Sequence, residues 1–222
     1  MSDAPLMLSI SGLRGLIGKS LTPLVAAQYG TAVGMWFKTQ VKTPKIVVGR
    51  DSRPSGEMIQ NAFVSGMSSV GCKVVTLDIA TTPGVALMIG RLHADGGIVI
   101  TASHNPIQWN GIKVLRQDGV APAPEQAQQI IDLFKNFNPK YVEPAQIPET
   151  TFNDTLPLVH MQVIEQNINT DLIRRRRIKV VLDSVHGAGA PETVELLDHL
   201  GVELIHLYAE PTGLFPHTPE PT

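Results

Sequence analysis

Three chemically capable residues stand together at Ser103-His104-Asn105, separated from the apolar run Ile98-Val99-Ile100 only by Thr101-Ala102 and followed by Pro106. A serine hydroxyl there is a potential nucleophile or phosphate carrier, but a poor one unless nearby groups manage its charge. Two cations are candidates for that task. Arg14 lies in Gly12-Leu13-Arg14-Gly15, where small neighbours leave room for bidentate contact with a phosphate. Lys113 follows the turn-like Gln108-Trp109-Asn110-Gly111, which folds the chain back and carries Lys113 towards Ser103. Each feature also has a plain reading: a polar turn that closes a strand, and a surface arginine.

The elements that position these residues read as alternating strands and helices. Leu6–Ile10 is a first strand, followed by a glycine-bearing loop at 11–15. Thr22-Pro23 is an N-cap with proline at the first helical position, and the helix runs through Trp36 and Phe37. Strands follow at Lys45–Gly49, Lys73–Asp78 and Gly97–Thr101, separated by helices from about Pro54 to Gly71 and from Thr81 to about His93. Within the loop 49–53, Arg50 and Asp51 are read as an ion pair. Ile112–Leu115 is a further strand, and Pro124–Phe137 a helix with Ile130, Ile131 and Phe134 on its apolar face. This order predicts an α/β fold: a mixed, mostly parallel sheet sandwiched by helices. The buried run at 98–100 ends where such sheets bind ligands, at the carboxyl ends of the strands.

Prolines 139, 144 and 148 mark an extended stretch, and a domain boundary is placed there, giving units 1–145 and 146–222. The second unit restarts the pattern. Helical spacing at 154–167 and 172–177 precedes a strand at 179–182, a helix at 191–200 and a strand at 202–207.

Composition narrows the function classes. Hydrophobic residues make up 43% and charged residues 17%, ordinary for a globular chain. A net charge of −2 offers no electrostatic case for nucleic acid, and Arg174–Arg177 reads as a solvated helix end. No apolar run is long enough for a membrane span, and Cys72 alone allows no internal disulfide; a reducing cytoplasm is the expected setting. His93 reads as a helix-end histidine. No Gly-x-Gly-x-x-Gly or P-loop pattern occurs.

Thr101-Ala102-Ser103-His104-Asn105-Pro106 resembles the active-site signature of the α-D-phosphohexomutases, the family of phosphoglucomutase, phosphomannomutase and phosphoglucosamine mutase. Gly12-Leu13-Arg14-Gly15, Gly49-Arg50-Asp51-Ser52-Arg53 and Asn110-Gly111-Ile112-Lys113 occur in the family's order and spacing. Asp183, His186, Gly187 and Gly189 resemble the opening of its second domain, and Phe215 to Pro221 its extended Phe-Pro segment. The resemblance implies interconversion of hexose 1-phosphate and 6-phosphate through a phosphoserine and a bisphosphate intermediate. Ser103 carries the phosphoryl group in that scheme and, through it, one Mg2+ ion. Arg14 and Lys113 bind and offset phosphate charge, and His104 hydrogen-bonds or moves a proton.

Hexose 1,6-bisphosphate is the implied activator, a phosphorylated hexose the implied partner, and a monomer or homodimer the implied assembly. The family's acidic metal loop and its later sugar- and phosphate-binding motifs do not occur in this sequence. The chain is therefore expected to be the amino-terminal part of a longer protein, and inactive alone. Two other classes compete with this reading. A serine hydrolase on Ser103 and His104 is disfavoured, because adjacent residues in an extended segment point to opposite sides. A non-catalytic sugar-phosphate-binding or interaction protein derived from the mutases is the remaining alternative.

Overall fold

The computed structural model describes residues 5–219. The amino-terminal four residues, and residues 220 and 221 of the Phe-Pro segment, lie outside the described residues. Strand β1 (Met7–Ser9) turns at Ile10-Ser11 into β2 (Gly12–Leu16), and α1 (Pro23–Lys38) follows. Then come β3 (Lys45–Arg50), α2 (Gly56–Ser69), β4 (Lys73–Ile79), α3 (Thr82–Arg91), β5 (Gly96–Ile100), β6 (Trp109–Arg116) and α4 (Pro124–Lys135). After the extended connection come β7 (Thr151–Phe152), α5 (Leu156–Glu165), α6 (Thr170–Arg176), β8 (Lys179–Asp183), α7 (Ala190–His199) and β9 (Glu203–Leu207).

Among the described residues the first seven strands form one sheet in the order β1-β2-β6-β5-β3-β4-β7. The β5-β3-β4-β7 side is parallel and the β1-β2-β6-β5 side antiparallel. Period-two alternation sends the central strands into two cores. Ile46, Val48, Ile98, Ile100, Ile112 and Val114 face the layer of α1, α2 and α4, where Tyr29, Trp36, Phe63 and Ile130 are buried. Val47, Val99 and Leu115 face Val85, Met88 and Ile89 of α3 and Leu156 and Val159 of α5. Strands covered on both faces need apolar residues at every position, which is why 98–100 reads as an unbroken run.

Thr22 caps α1 by accepting from the Val25 amide at 3.3 Å. Helices α1 and α2 approach so closely that a Cβ on Gly66 would stand 2.1 Å from the Ala27 carbonyl oxygen. Cys72 is buried beside this helix pair, and burial pushes its thiol up to about 12.

Three expectations change. The segment 11–15 is not a loop: Gly12–Leu16 is strand β2, paired on one side with β1 and on the other with β6. The turn expected at 108–111 ends sooner, since β6 begins at Trp109. Arg50 does not pair with the Asp51 carboxylate. Its partner is Asp78 on the neighbouring strand β4, where a register irregularity sets Asp78 opposite Gly49, and the Arg50 and Asp78 side chains meet at 2.5 Å. Asp51 turns instead to Arg53 at 3.0 Å.

The second sheet holds β8 and β9, parallel and in register from Lys179↔Glu203 to Asp183↔Leu207. Val180, Leu182 and Leu204 are half-buried, whereas Val181, Ile205 and Leu207 on the other face are exposed.

Candidate active site

Strands β5 and β6 are neighbours in the chain and antiparallel partners, so residues 101–108 form the loop that joins them at the carboxyl end of β5. Thr101 continues the pairing briefly: its amide donates to the Gly111 carbonyl at 2.9 Å. The chain then turns sharply. Ser103 has φ 57°, in the left-handed region that costs an L-residue roughly 1 kcal/mol or more. Its amide donates to Thr101 Oγ1 at 2.9 Å, and Thr101 Oγ1 donates to Asp51 Oδ2 at 2.6 Å. Asn105 Nδ2 closes the turn on the Ala102 carbonyl at 2.7 Å. Ser103 and His104 are left exposed at the surface.

Arg14 and Lys113 come together through the sheet. Leu13 opposes Ile112, and both are buried in the α1/α2 core. Arg14 and Lys113 are each one residue away, so both occupy the opposite face, as diagonal neighbours across β2 and β6. They are half-buried and line one pocket of about 190 Å³ with Thr101, Ser9 and Ser11. Ser103 lies two residues beyond Thr101 and is tied to it by the amide bond to Oγ1. Two cations sharing a pocket with Thr101, whose hydroxyl holds the Ser103 amide, form a charge arrangement suited to an anionic group such as a phosphate. His104 is placed differently. It lines a separate pocket of about 720 Å³ with Ile107, Leu214, Phe215 and His217.

That second pocket joins the two units. Ser52 Oγ donates to the His186 carbonyl at 2.8 Å. Gly213, at φ 67°, lies so close to the 51–53 loop that a Cβ would fall 2.2 Å from the Ser52 carbonyl oxygen. Phe215 lies over the Arg53 guanidinium, 5.0 Å from ring centroid to Cζ. His217 anchors the same segment: its Nε2 is 2.9 Å from Asp183 Oδ2 and its Nδ1 3.1 Å from the Thr218 carbonyl. Both neighbours are acceptors, so both ring nitrogens are asked to donate, which favours the imidazolium. The bond to Asp183, followed by that to Thr218, holds the His217 pKa above its ordinary value. Asp183 is held below the usual carboxylate value, first by the Val185 amide and then by His217.

Arg53 is a site residue that the sequence reading does not single out. Its side chain is fully buried, and it donates to Asp51 and to carbonyls of the Ser103 loop. Its sequence signal is slight: a second arginine in a short loop already holding Arg50 and Asp51. Thr101 likewise reads as part of a motif, with no sign of its bridging role.

The implied Mg2+ prefers about six oxygen ligands. Among the described residues, no group of three or more His, Cys, Asp or Glu side chains is placed to share an ion. The described residues do not by themselves make a Mg2+ site. Among the described residues, no helix is long and apolar enough to cross a membrane.

Residues 7–140 match the family model of phosphoglucomutase/phosphomannomutase alpha/beta/alpha domain I, and residues 159–222 match that of domain II. A phosphoglucomutase/phosphomannomutase of Thermococcus kodakarensis is 37% identical over 212 residues, which are 95% of this chain and 46% of that protein. A phosphoglucosamine mutase of Limosilactobacillus fermentum is 38% identical over 210 residues, 91% of this chain and 45% of the relative. The crystal structure of a putative phosphomannomutase from Thermus thermophilus superposes with a TM-score of 0.83 at 26% identity, covering 96% of this chain and 48% of that one. The chain thus spans about half the length of the relatives it matches. With its two αβ units in the order of those two family models and the serine loop at the end of β5, the chain belongs to the phosphoglucomutase/phosphomannomutase family.

Proposed function

We propose that these residues are the phosphoserine-bearing part of a phosphohexomutase, which interconverts hexose 1-phosphate and hexose 6-phosphate. Names borne by the relatives, phosphoglucomutase/phosphomannomutase and phosphoglucosamine mutase, support that substrate class without choosing among the sugars. The observation that carries the reading is the shared pocket of Arg14 and Lys113, linked through Thr101 to the exposed Ser103.

In the forward step, phosphorylated Ser103 gives its phosphoryl group to a free hydroxyl of the hexose monophosphate. The bond from phosphorus to Ser103 Oγ breaks as the bond to the sugar oxygen forms. The sugar hydroxyl loses a proton and Oγ gains one, and the product at that point is a hexose 1,6-bisphosphate. The intermediate reorients, and its other phosphate returns to Ser103 by the reverse exchange. Phosphoryl transfer of this kind depends chiefly on positioning and charge stabilisation. Arg14 and Lys113 offset the phosphate charge. His104, beside the serine, holds or moves the proton. In this reading the first unit, 1–145, carries the phosphoryl group and the second, 146–222, borders it. In the whole protein the Ser103 phosphate would contribute one oxygen to a bound Mg2+ ion, which would offset phosphoryl charge.

The test is phosphorylation. Incubation of a full-length protein carrying these residues with glucose 1,6-bisphosphate and Mg2+, followed by peptide mass spectrometry, is expected to find phosphate on Ser103 and none on a Ser103→Ala variant. Phosphate on another residue, or Ser103 left unmodified, overturns the assignment.

A further inference from the structure

Arg53 has an unusual set of partners for a buried cation. A guanidinium carries five N–H donors in a rigid fork. All five find acceptors here. Nε donates to Asp51 Oδ2 at 3.0 Å. Nη1 donates to the carbonyls of Pro106 at 2.9 Å and Trp109 at 3.1 Å, and Nη2 to those of Ser103 at 2.8 Å and Asn105 at 2.7 Å. Four of the five acceptors are therefore backbone oxygens of the segment that presents Ser103.

One acidic partner and four carbonyls satisfy the fork geometrically and offset its charge, which makes burial of the ion tolerable. Phe215 lies over the guanidinium, adding a cation–π contact and keeping water away.

We infer that Arg53 is the positioning residue of the serine loop, acting from the α2 side of the sheet without touching the reacting atoms; this rests on the phosphohexomutase reading above. Its effect has two parts. The carbonyls of Ser103, Asn105 and Pro106 turn their negative ends inward towards the cation, instead of outward towards a phosphoryl group on Ser103. The same Asp51 carboxylate that holds Arg53 accepts from Thr101, and Thr101 accepts from the Ser103 amide. Ser103 is thereby gripped at its carbonyl by Arg53 and at its amide by Asp51 through Thr101. Two grips on one residue maintain a φ of 57° that an unrestrained serine leaves.

Lysine cannot replace this fork. It keeps the charge but offers three donors on one nitrogen, leaving carbonyls of the loop unpaired.

The experiment measures hydrogen exchange on the 222-residue chain and Ser103 labelling on a full-length protein carrying it, each unsubstituted and with Arg53→Lys or Thr101→Val. The amides of Ser103, Asn105 and Trp109 are each bonded within the loop and report its closure. Arg53→Lys is expected to speed exchange in peptides covering 101–109 about tenfold or more, while peptides of α1 and β3 keep their protection. Labelling of Ser103 by glucose 1,6-bisphosphate is expected to slow by a similar factor. Thr101→Val, which keeps the side-chain shape, is expected to do the same to a smaller degree, and decides the matter if Arg53→Lys does not fold. Unchanged exchange at 101–109, or an increase spread evenly over the chain, overturns the inference. If the unsubstituted full-length protein takes no phosphate on Ser103, the functional reading fails while the exchange result still decides whether Arg53 positions the loop.

Discussion

The two αβ units use the same alternation of strand and helix and differ in what covers their sheets. In the first, β5 is buried at every position, and two apolar cores lie on opposite faces of the sheet, one of them completed by Leu156 and Val159 of α5 from the second unit. In the second, β8 and β9 alternate between half-buried and exposed, and Val181 is 62% exposed. A strand pair with one bare face gains little from burial, so most of the folding free energy of this chain resides in the first unit. The difference teaches where rigidity is available. The serine loop sits on the doubly covered sheet, and the segment that caps its arginine comes from the singly covered one.

The largest expected effect tests that division. Phe63→Ala removes a fully buried ring from the α1/α2 core and is expected to cost about 3–5 kcal/mol. Val181→Thr in the second sheet is expected to cost less than about 0.5 kcal/mol. Urea denaturation followed by tryptophan fluorescence suits the comparison, because Trp36 and Trp109 both lie in the first unit. Similar losses in the two variants break the contrast.

A smaller effect is expected at the junction. Gly213→Ala meets both a left-handed backbone and the Ser52 carbonyl, at a cost of about 1–3 kcal/mol locally. The strap at 213–219 should detach and become open to protease, with the tryptophan-monitored midpoint nearly unmoved. A strap that stays protected contradicts the view that Gly213 permits the contact.

The smallest effect concerns pH. His217 has a raised folded-state pKa, so its contribution is present below its ordinary value of about 6.5 and is lost as pH rises through the folded value. Asp183 has a lowered one, so its contribution is present above its ordinary value and is lost as pH falls through the folded value. Protection of the strap should therefore be greatest between those limits and weaken on either side. Proton NMR titration of His217, repeated on Asp183→Asn, checks this: the His217 midpoint should fall in the variant, and an unmoved midpoint refutes the pairing.

Much of this architecture is legible in the sequence because burial on two faces leaves an unmistakable apolar run, as at 46–48 and 98–100. Caps such as Thr22-Pro23 are local and equally readable. Strand β2 is not, because Gly-Leu-Arg-Gly-Leu carries little strand character and becomes a strand through partners on both sides. The partner of Arg50 is hidden for a related reason: Asp78 lies on the next strand and meets Arg50 only once β3 and β4 pair. At the site, the motif marks Ser103, whereas the shared face of Arg14 and Lys113 depends on the pairing of β2 with β6 and is no more readable than β2 itself. Arg53 stays hidden because the carbonyls it binds lie at least 50 residues further along the chain and are backbone atoms, which leave no mark on residue type.

The contact between Phe215 and Arg53 also has a consequence in time. During synthesis, the hairpin of β5 and β6 can close within microseconds of emerging, and every hydrogen-bond acceptor of Arg53 exists once Trp109 has been added. Phe215 is joined to the chain only later, by roughly 5–20 s at ordinary elongation rates. For that interval the nascent chain holds a closed serine loop over an arginine whose aromatic lid has yet to be made, and solvent reaches the guanidinium from that side.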